Sequence, residues 1–271
     1  MKLYSRNYNI LTDEEIVEWQ RLKEEEIVQE LGTLKIRKSK YSMYPKAVRH
    51  YLSLFPNNFL DTLDLKQEGK LNLLSDKFLT LLDDETINER SVLNFINENF
   101  AHFIIASILK GPYSFGHHGA FVFPEFQLGN SYQVDFLIVG KSSGGYEFVF
   151  VELEHPYKDI FLKDGHLGNA FRKGLNQISD WKRYLDQNFE SLNETFEKYK
   201  NPSLPLPKEF LKRDDTRYHY VVVAGRRNHF SINEEKSYSI KRETLKDRDT
   251  LLLHYDNLYD SAKRIIGKVT Y

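Results

Sequence analysis

The chain has 271 residues, 41% of them hydrophobic and 28% charged, enough to bury a substantial core and too apolar for a disordered chain. A formal net charge of -1 excludes a surface that is basic as a whole, and the lack of cysteine excludes disulfides, thiolate zinc sites and cysteine nucleophiles together. No stretch is long and apolar enough to span a bilayer, residues 103–109 being the best, and residues 1–6 lack the apolar run of a secretory signal, so a cytoplasmic protein without a membrane partner is expected.

Taken in chain order, residues 1–86 read as a mainly helical accessory region. Thr12-Asp13-Glu14-Glu15 fits a capping box, and Ile16, Trp19, Leu22 and Ile27 carry the helix behind it toward Gly32. Residues 39–66 mix aromatics with Pro45, Pro56 and Asn57-Asn58 and give no periodic signal. A second helix is predicted over 87–109, with Leu93, Ile96, Phe100, Phe103, Ile104 and Ile108 at helical spacing, stopped by Gly111-Pro112. The character then changes. Residues 120–128, 132–139 and 146–153 are rich in β-branched and aromatic side chains and are separated by turn-forming connectors, which predicts an antiparallel meander. The second and third of these strands are apolar on both faces, as buried central strands are. A long helix follows over 167–199, then the Pro-rich connector 201–207, a strand over 218–224 ended by Gly225-Arg226-Arg227, and a short mixed segment. The expected domains are the accessory region 1–86, a core over 87–230, and a C-terminal cap over 231–271 packed on that core.

The chemistry lies in the strands. Phe148, Phe150, Glu152 and Glu154 alternate onto one face. If Val139 pairs with Tyr146, Asp135 lies opposite Phe150 with Glu152 as its diagonal neighbour; if Leu128 pairs with Tyr132, Glu125 lies opposite Asp135. A one-residue slip would separate the acids. Any one strand-end acid is ordinarily solvated or ion-paired, but Asp135 and Glu152 each interrupt an apolar strand, and the two costs fall on neighbours. A divalent cation relieves both. Hard oxygen ligands suit Mg2+ or Mn2+, with Asp135, Glu152 and Glu125 as candidate ligands, and such an ion serves phosphodiester hydrolysis.

Asp135, a turn, and then Val151-Glu152-Leu153-Glu154 resemble the PD-(D/E)XK nuclease signature. The longer run Val151-Glu152-Leu153-Glu154-His155-Pro156, Phe161, Lys163-Asp164-Gly165 and Gln177-Ile178-Ser179-Asp180-Trp181 resembles the Shedu anti-phage defence nucleases. That resemblance implies an α/β fold with a central mixed sheet flanked by helices, metal on Asp135 and Glu152, a homo-oligomer, and a magnesium-dependent endonuclease acting on phage or other foreign DNA. Glu154 stands where the general signature has lysine, so it would be a further ligand or a base that orients water, with Lys158 or Lys173 supplying the missing ammonium. Lys173, Gln177, Trp181 and Tyr184 share a helical face that is expected to be separate from the core stripe, and the resemblance places Gln177 beside the acids.

Substrate contacts are expected from His155, Lys158, Lys173 and Arg226, with Lys163, Arg172, Lys182, Arg183 and Arg227 as further cations along a phosphate track; a charge-rich helix is more often merely solvated. His117-His118 point apart in an extended segment and chelate poorly. Two other readings remain open: a catalytically silent nuclease-fold module that binds DNA or protein, favoured by Glu154, and a toxin-like RNase on the same fold.

Overall fold

The computed structural model describes residues 3–31, 34–162, 166–229 and 234–271. Helix α1 (Asp13–Glu24) starts at the expected capping box, Thr12 accepting from the Glu15 backbone while the Glu15 carboxylate accepts from that of Thr12. It ends earlier than its periodicity suggested, and the β-branched pair Ile27-Val28 opens a hairpin, β1 (Ile27–Leu31) with β2 (Leu34–Arg37). Gly32 itself lies outside the described residues. What redirects the chain is Glu26, whose carboxylate accepts from the Tyr44 hydroxyl at 2.6 Å and the Lys40 backbone at 2.8 Å.

Two further helices follow, α2 (Lys46–Tyr51), inside the stretch that gives no periodic signal, and α3 (Glu68–Leu82), beyond it. The second buries Leu71, Leu74, Phe78 and Leu82, a helical spacing that the sequence itself carries. The single helix expected over 87–109 is broken. It is α4 (Glu89–Glu98) and α5 (Phe103–Ala106), and the chain bends by 109° between α4 and the stretch Phe103–Lys110. Phe100 takes a left-handed backbone (φ 51°) and Ala101 donates to the Ile96 carbonyl at 2.9 Å, a C-terminal closure that hydrophobic spacing cannot reveal.

The centre is a five-stranded mixed sheet in the order β3 (Gly119–Leu128), β4 (Tyr132–Ser142), β5 (Gly145–Leu153), β6 (Tyr218–Val223), β7 (Thr250–Leu253). The first three strands form the predicted antiparallel meander; β6 and β7 run parallel to β5. Parallel neighbours need crossovers, supplied by α6 (Asn169–Tyr199) with α7 (Lys208–Leu211), and by α8 (Glu234–Arg248). Helix α9 (Tyr255–Ile265) closes the chain's regular structure.

Both faces of the sheet are covered. Phe148 and Phe150 pack with Phe171, Leu175, Ile178 and Trp181 of α6, while Val149, Val151 and Leu153 pack with α3, α4, α5 and α9. The N-terminal residues join these cores rather than standing apart: Leu3, Leu65 and Phe78 belong to the second and Phe55 to the first, with only Leu22, Tyr44 and Val48 forming a small separate cluster. The C-terminal segment read as a cap goes deeper than a cap, giving the sheet its edge strand β7 and filling one face with α9. No single described helix is long and apolar enough to cross a membrane.

Candidate active site

The hairpin between β4 and β5 is tighter than expected. Gly140, Lys141 and Ser142 stay in the strand, Gly145 takes a positive φ of 106°, and Lys141 rather than Val139 faces Tyr146. An even shift leaves every side chain on its own face, and it moves Asp135 from beside Phe150 to the level of Glu152. The ladder stops one step short, at Phe136↔Val151, and there the Asp135 Oδ2 accepts the Leu153 backbone N–H at 2.8 Å. A side chain has taken over from a backbone carbonyl where the strands part.

The other edge of β4 opens at the same height. Leu128 pairs with Tyr132 as predicted, but the register skips from Phe126↔Val134 to Pro124↔Phe136. Glu125, between them, has a left-handed backbone (φ 48°), and its carboxylate pairs with Arg90 of α4 at 2.9 Å. It stands across from Asp135 with its charge directed to an arginine.

Glu152 and Glu154 are 4% and 2% exposed at the end of β5. Burial pushes the Glu152 carboxyl well above the usual range, and the charges of Asp135 and Glu154 push it further. Asp135 is raised by burial as well, against the Leu153 N–H and the Arg90 charge, which favour its ionised form. Helix α6 brings the counterweights. Lys173 Nζ lies 2.9 Å from Glu154 Oε2, and one turn on the Gln177 amide sits beside Glu152 and favours its ionised form. Burial disfavours the Lys173 ammonium, but contact with Glu154 outweighs that and raises its pKa. Even so, Glu154 Oε1 and Gln177 Oε1 are buried with no hydrogen-bond partner. Three carboxyl groups, one lysine and two orphaned acceptors leave a site short of positive charge and of donors.

Gly174 sets the helix at this depth. A Cβ there would lie 2.5 Å from Val222 Cγ1 and 3.4 Å from Glu154 Cγ. Gly174→Ala should therefore destabilise the fold by ~1–3 kcal/mol despite alanine's better helix propensity, because overpacking against β6 outweighs it. It should also draw Lys173 and Gln177 away from the acids. Urea denaturation measures the first effect, and an unchanged midpoint would refute the close packing.

The helical face that carries Gln177 is not separate from the core, contrary to its spacing. Trp181 is 1% exposed within the α6 cluster, and Tyr184 packs edge-on to Tyr132 at 5.5 Å. A helix laid across a twisted sheet buries a wider arc than one stripe.

The expected substrate contacts divide. Lys158 is exposed, and His155 is half-buried, its Nδ1 accepting the Tyr157 N–H at 3.0 Å. Burial and then the Lys158 charge lower the His155 pKa, which keeps the ring neutral near pH 7. Arg226 is corrected from substrate contact to clamp. Its guanidinium is held by Asp256 at 3.0 Å, Asp83 at 3.1 Å, the Tyr157 hydroxyl at 3.1 Å and the Leu82 carbonyl, so its donors are spent inside the protein. Arg227 pairs with Asp260. Arg226→Ala, which strands a half-buried Asp256, should cost ~3–5 kcal/mol in urea unfolding, whereas a surface pair would cost under ~1 kcal/mol.

Lys163, Asp164 and Gly165 lie outside the described residues. Phe161 is buried against Phe171. His117 and His118 are exposed and precede β3, at the opposite end of the strands from the acids. Two neighbours of the site were missed. Tyr255, fully buried at the start of α9, donates its hydroxyl to the Glu154 carbonyl at 2.7 Å. Glu89, in the first turn of α4, adds negative charge felt by Glu154, Lys173 and His155. Neither had a signal in the strand pattern.

Among the described residues no group of three or more His, Asp or Glu side chains is arranged to hold a metal ion by itself. Magnesium does not require one: it is commonly bound through one or two carboxylates, with water and substrate phosphate completing the shell. The adjacent pair Asp135 and Glu152 suits that mode.

A search among curated proteins finds no match. The family model described as the C-terminal part of the Shedu protein SduA matches residues 87–259. The matched stretch is more than half of the chain and runs from α4 through all five strands into α9, taking in Glu89, Asp135, Glu152, Glu154, Lys173, Gln177 and Tyr255. Such a match suggests a role in anti-phage defence, and with it the chain belongs to the Shedu family.

Proposed function

We propose that this protein is a magnesium-dependent endonuclease of the PD-(D/E)XK kind that cuts phage or other foreign DNA, working in the cytoplasm as a homo-oligomer. The observation that carries the reading is the juxtaposition of a half-buried Asp135 and a buried Glu152, level with each other where two strands part, with less positive charge around them than they need. Asp135 and Glu152 are the residues that would hold Mg2+ or Mn2+. When bound, such an ion supplies a Lewis acid for the phosphodiester and a water of lowered pKa.

The chain's own residues do the remaining work. Leu153 N–H fixes the Asp135 carboxylate, and Lys173 fixes that of Glu154, so neither must be ordered when substrate arrives. Glu154 occupies the usual lysine position, and Lys173 reaches over from α6 to the same point. The ammonium thus comes from a helix instead of the strand, and it can steady negative charge developing on phosphate while Glu154 holds it in place. His155 and Lys158, just past β5, are left to meet the DNA backbone.

Plasmid nicking tests this directly. Supercoiled DNA should be converted to nicked or linear forms with Mg2+ or Mn2+ and not with EDTA, and RNA offered in parallel should survive. One observation favours the silent module instead: the Lys173 ammonium is engaged by Glu154. Tight DNA binding without cutting in either metal would decide for that reading, and preferential loss of RNA would decide for the RNase.

A further inference from the structure

On the side of the sheet away from α6, a cavity of about 210 Å3 opens between the N-terminal segment, the start of α3 and Tyr271. Its apolar floor, Leu65, Leu71 and Phe103, belongs to the α3–α9 core, and it shares no residue with the carboxylate site. Three of its lining residues are more than nine-tenths buried and polar: Tyr8, His102 and Tyr271, at 8%, 4% and 6% exposure. His102 uses Nε2 on Asn97 at 3.2 Å. Among the described residues nothing hydrogen-bonds its Nδ1, or the hydroxyls of Tyr8 and Tyr271. Unlike the sealed acceptors of the carboxylate site, these three groups still touch solvent, so they stand available to an occupant of the hollow.

The charges say what kind. Arg6, Lys46 and Lys70 line the cavity against a single acid, Asp64. Arg6 is shared with Glu15 and Lys46 with Asp64, while Lys70 has no ion-pair partner among the described residues. Phe100, displayed by its left-handed backbone, lines the same space while half exposed, and offers an unpacked aromatic surface. The hollow is larger than a lone inorganic anion needs, and its mixed wall of cations, hydroxyls and apolar side chains suits a ligand with an anionic and an aromatic part.

We propose that this cavity binds a mononucleotide. The base lies against Phe100, and the phosphate takes Lys70 with Arg6 and Lys46. The sugar and base edges meet the free donors and acceptors of His102 and Tyr271. Helix α3 gives the occupant a route to the carboxylates: it starts at the cavity with Lys70 and Leu71 and ends at Leu82, whose carbonyl is held by Arg226 and Tyr157 just beyond β5.

Calorimetric titration of the full chain with each of the four ribonucleoside monophosphates, inorganic phosphate and the free nucleosides tests this without any need for nuclease activity. At least one mononucleotide should bind with a Kd of ~10–100 µM, and phosphate or nucleoside alone at least ~10-fold more weakly. Lys70→Glu should weaken that binding ~10-fold or more and Tyr271→Phe several-fold, with Lys212→Glu as a distant control that changes nothing. Hydrogen exchange should slow at the start of α3 on titration. No binding by any mononucleotide at ~1 mM, phosphate binding as tightly as the nucleotide, or affinity unchanged in both Lys70→Glu and Tyr271→Phe would each overturn the proposal.

Discussion

On the proposed function, Asp135→Asn and Glu152→Gln are each expected to reduce DNA cutting by about a thousandfold or more, because each would remove a ligand from an ion asked to supply several kcal/mol of transition-state stabilisation. The fold should survive both. The amide of Asp135→Asn still offers an oxygen to the Leu153 N–H, and that of Glu152→Gln can still meet Gln177. DNA affinity measured in EDTA should stay within about threefold of the parent, since the exposed cations proposed to meet phosphate are untouched. Single-turnover nicking of a supercoiled plasmid is the measurement. Cutting that persists at parental rates in both variants would place the chemistry elsewhere.

Glu152→Gln should also make the metal-free protein more stable at pH 8, by ~2–4 kcal/mol, although it removes a charge and leaves the side-chain volume almost unchanged. The Glu152 pKa in the folded protein lies above that of the unfolded chain, chiefly through burial and then through the charges of Asp135 and Glu154. The folded state therefore keeps a proton that the unfolded state releases. Stability from this source is complete below the unfolded value of about 4.3 and is lost as pH rises toward the folded one. Glutamine has no such dependence, so the two proteins should converge near pH 4 and diverge steadily above it. Mg2+ at pH 8 should stabilise the parent and leave Glu152→Gln nearly unmoved, because an ion that binds only the folded, ionised site shifts unfolding by mass action. Urea titrations across pH, with and without Mg2+, measure both effects; a variant less stable than the parent at pH 8 would show that the carboxyl is solvated after all.

Much of the framework was legible in the residues. The capping box at Thr12, the three strands of the meander, the long helix over 169–199 and the strand from Tyr218 follow from local chemistry that the tertiary structure only assembles. The pairing of Leu128 with Tyr132 was legible too, since Gly129-Asn130-Ser131 leaves a tight turn little choice. The candidate acids stood out because Asp135 and Glu152 interrupt apolar strands. The break at Phe100, the early end of α1 and the contribution of β7 were not, because each depends on a contact distant in sequence or on one backbone angle, to which hydrophobic spacing is blind.

Sequence alone determined which side chains carry charge into the interior and, through the two-residue period of a strand, that Glu152 and Glu154 share a face. Tertiary structure decided what those charges meet. A hairpin shifted by two residues set Asp135 level with Glu152, a backbone turn at Glu125 sent that carboxylate to Arg90, and Gly174 let α6 approach closely enough for Lys173 to reach Glu154. Arg226 reads as a free cation in the chain and becomes a clamp once α3, β6 and α9 converge on it. The reason is physical: alternation along a strand is a local rule, whereas register, helix depth and ion pairing are settled by which arrangement buries the most surface while leaving the fewest polar groups unmatched.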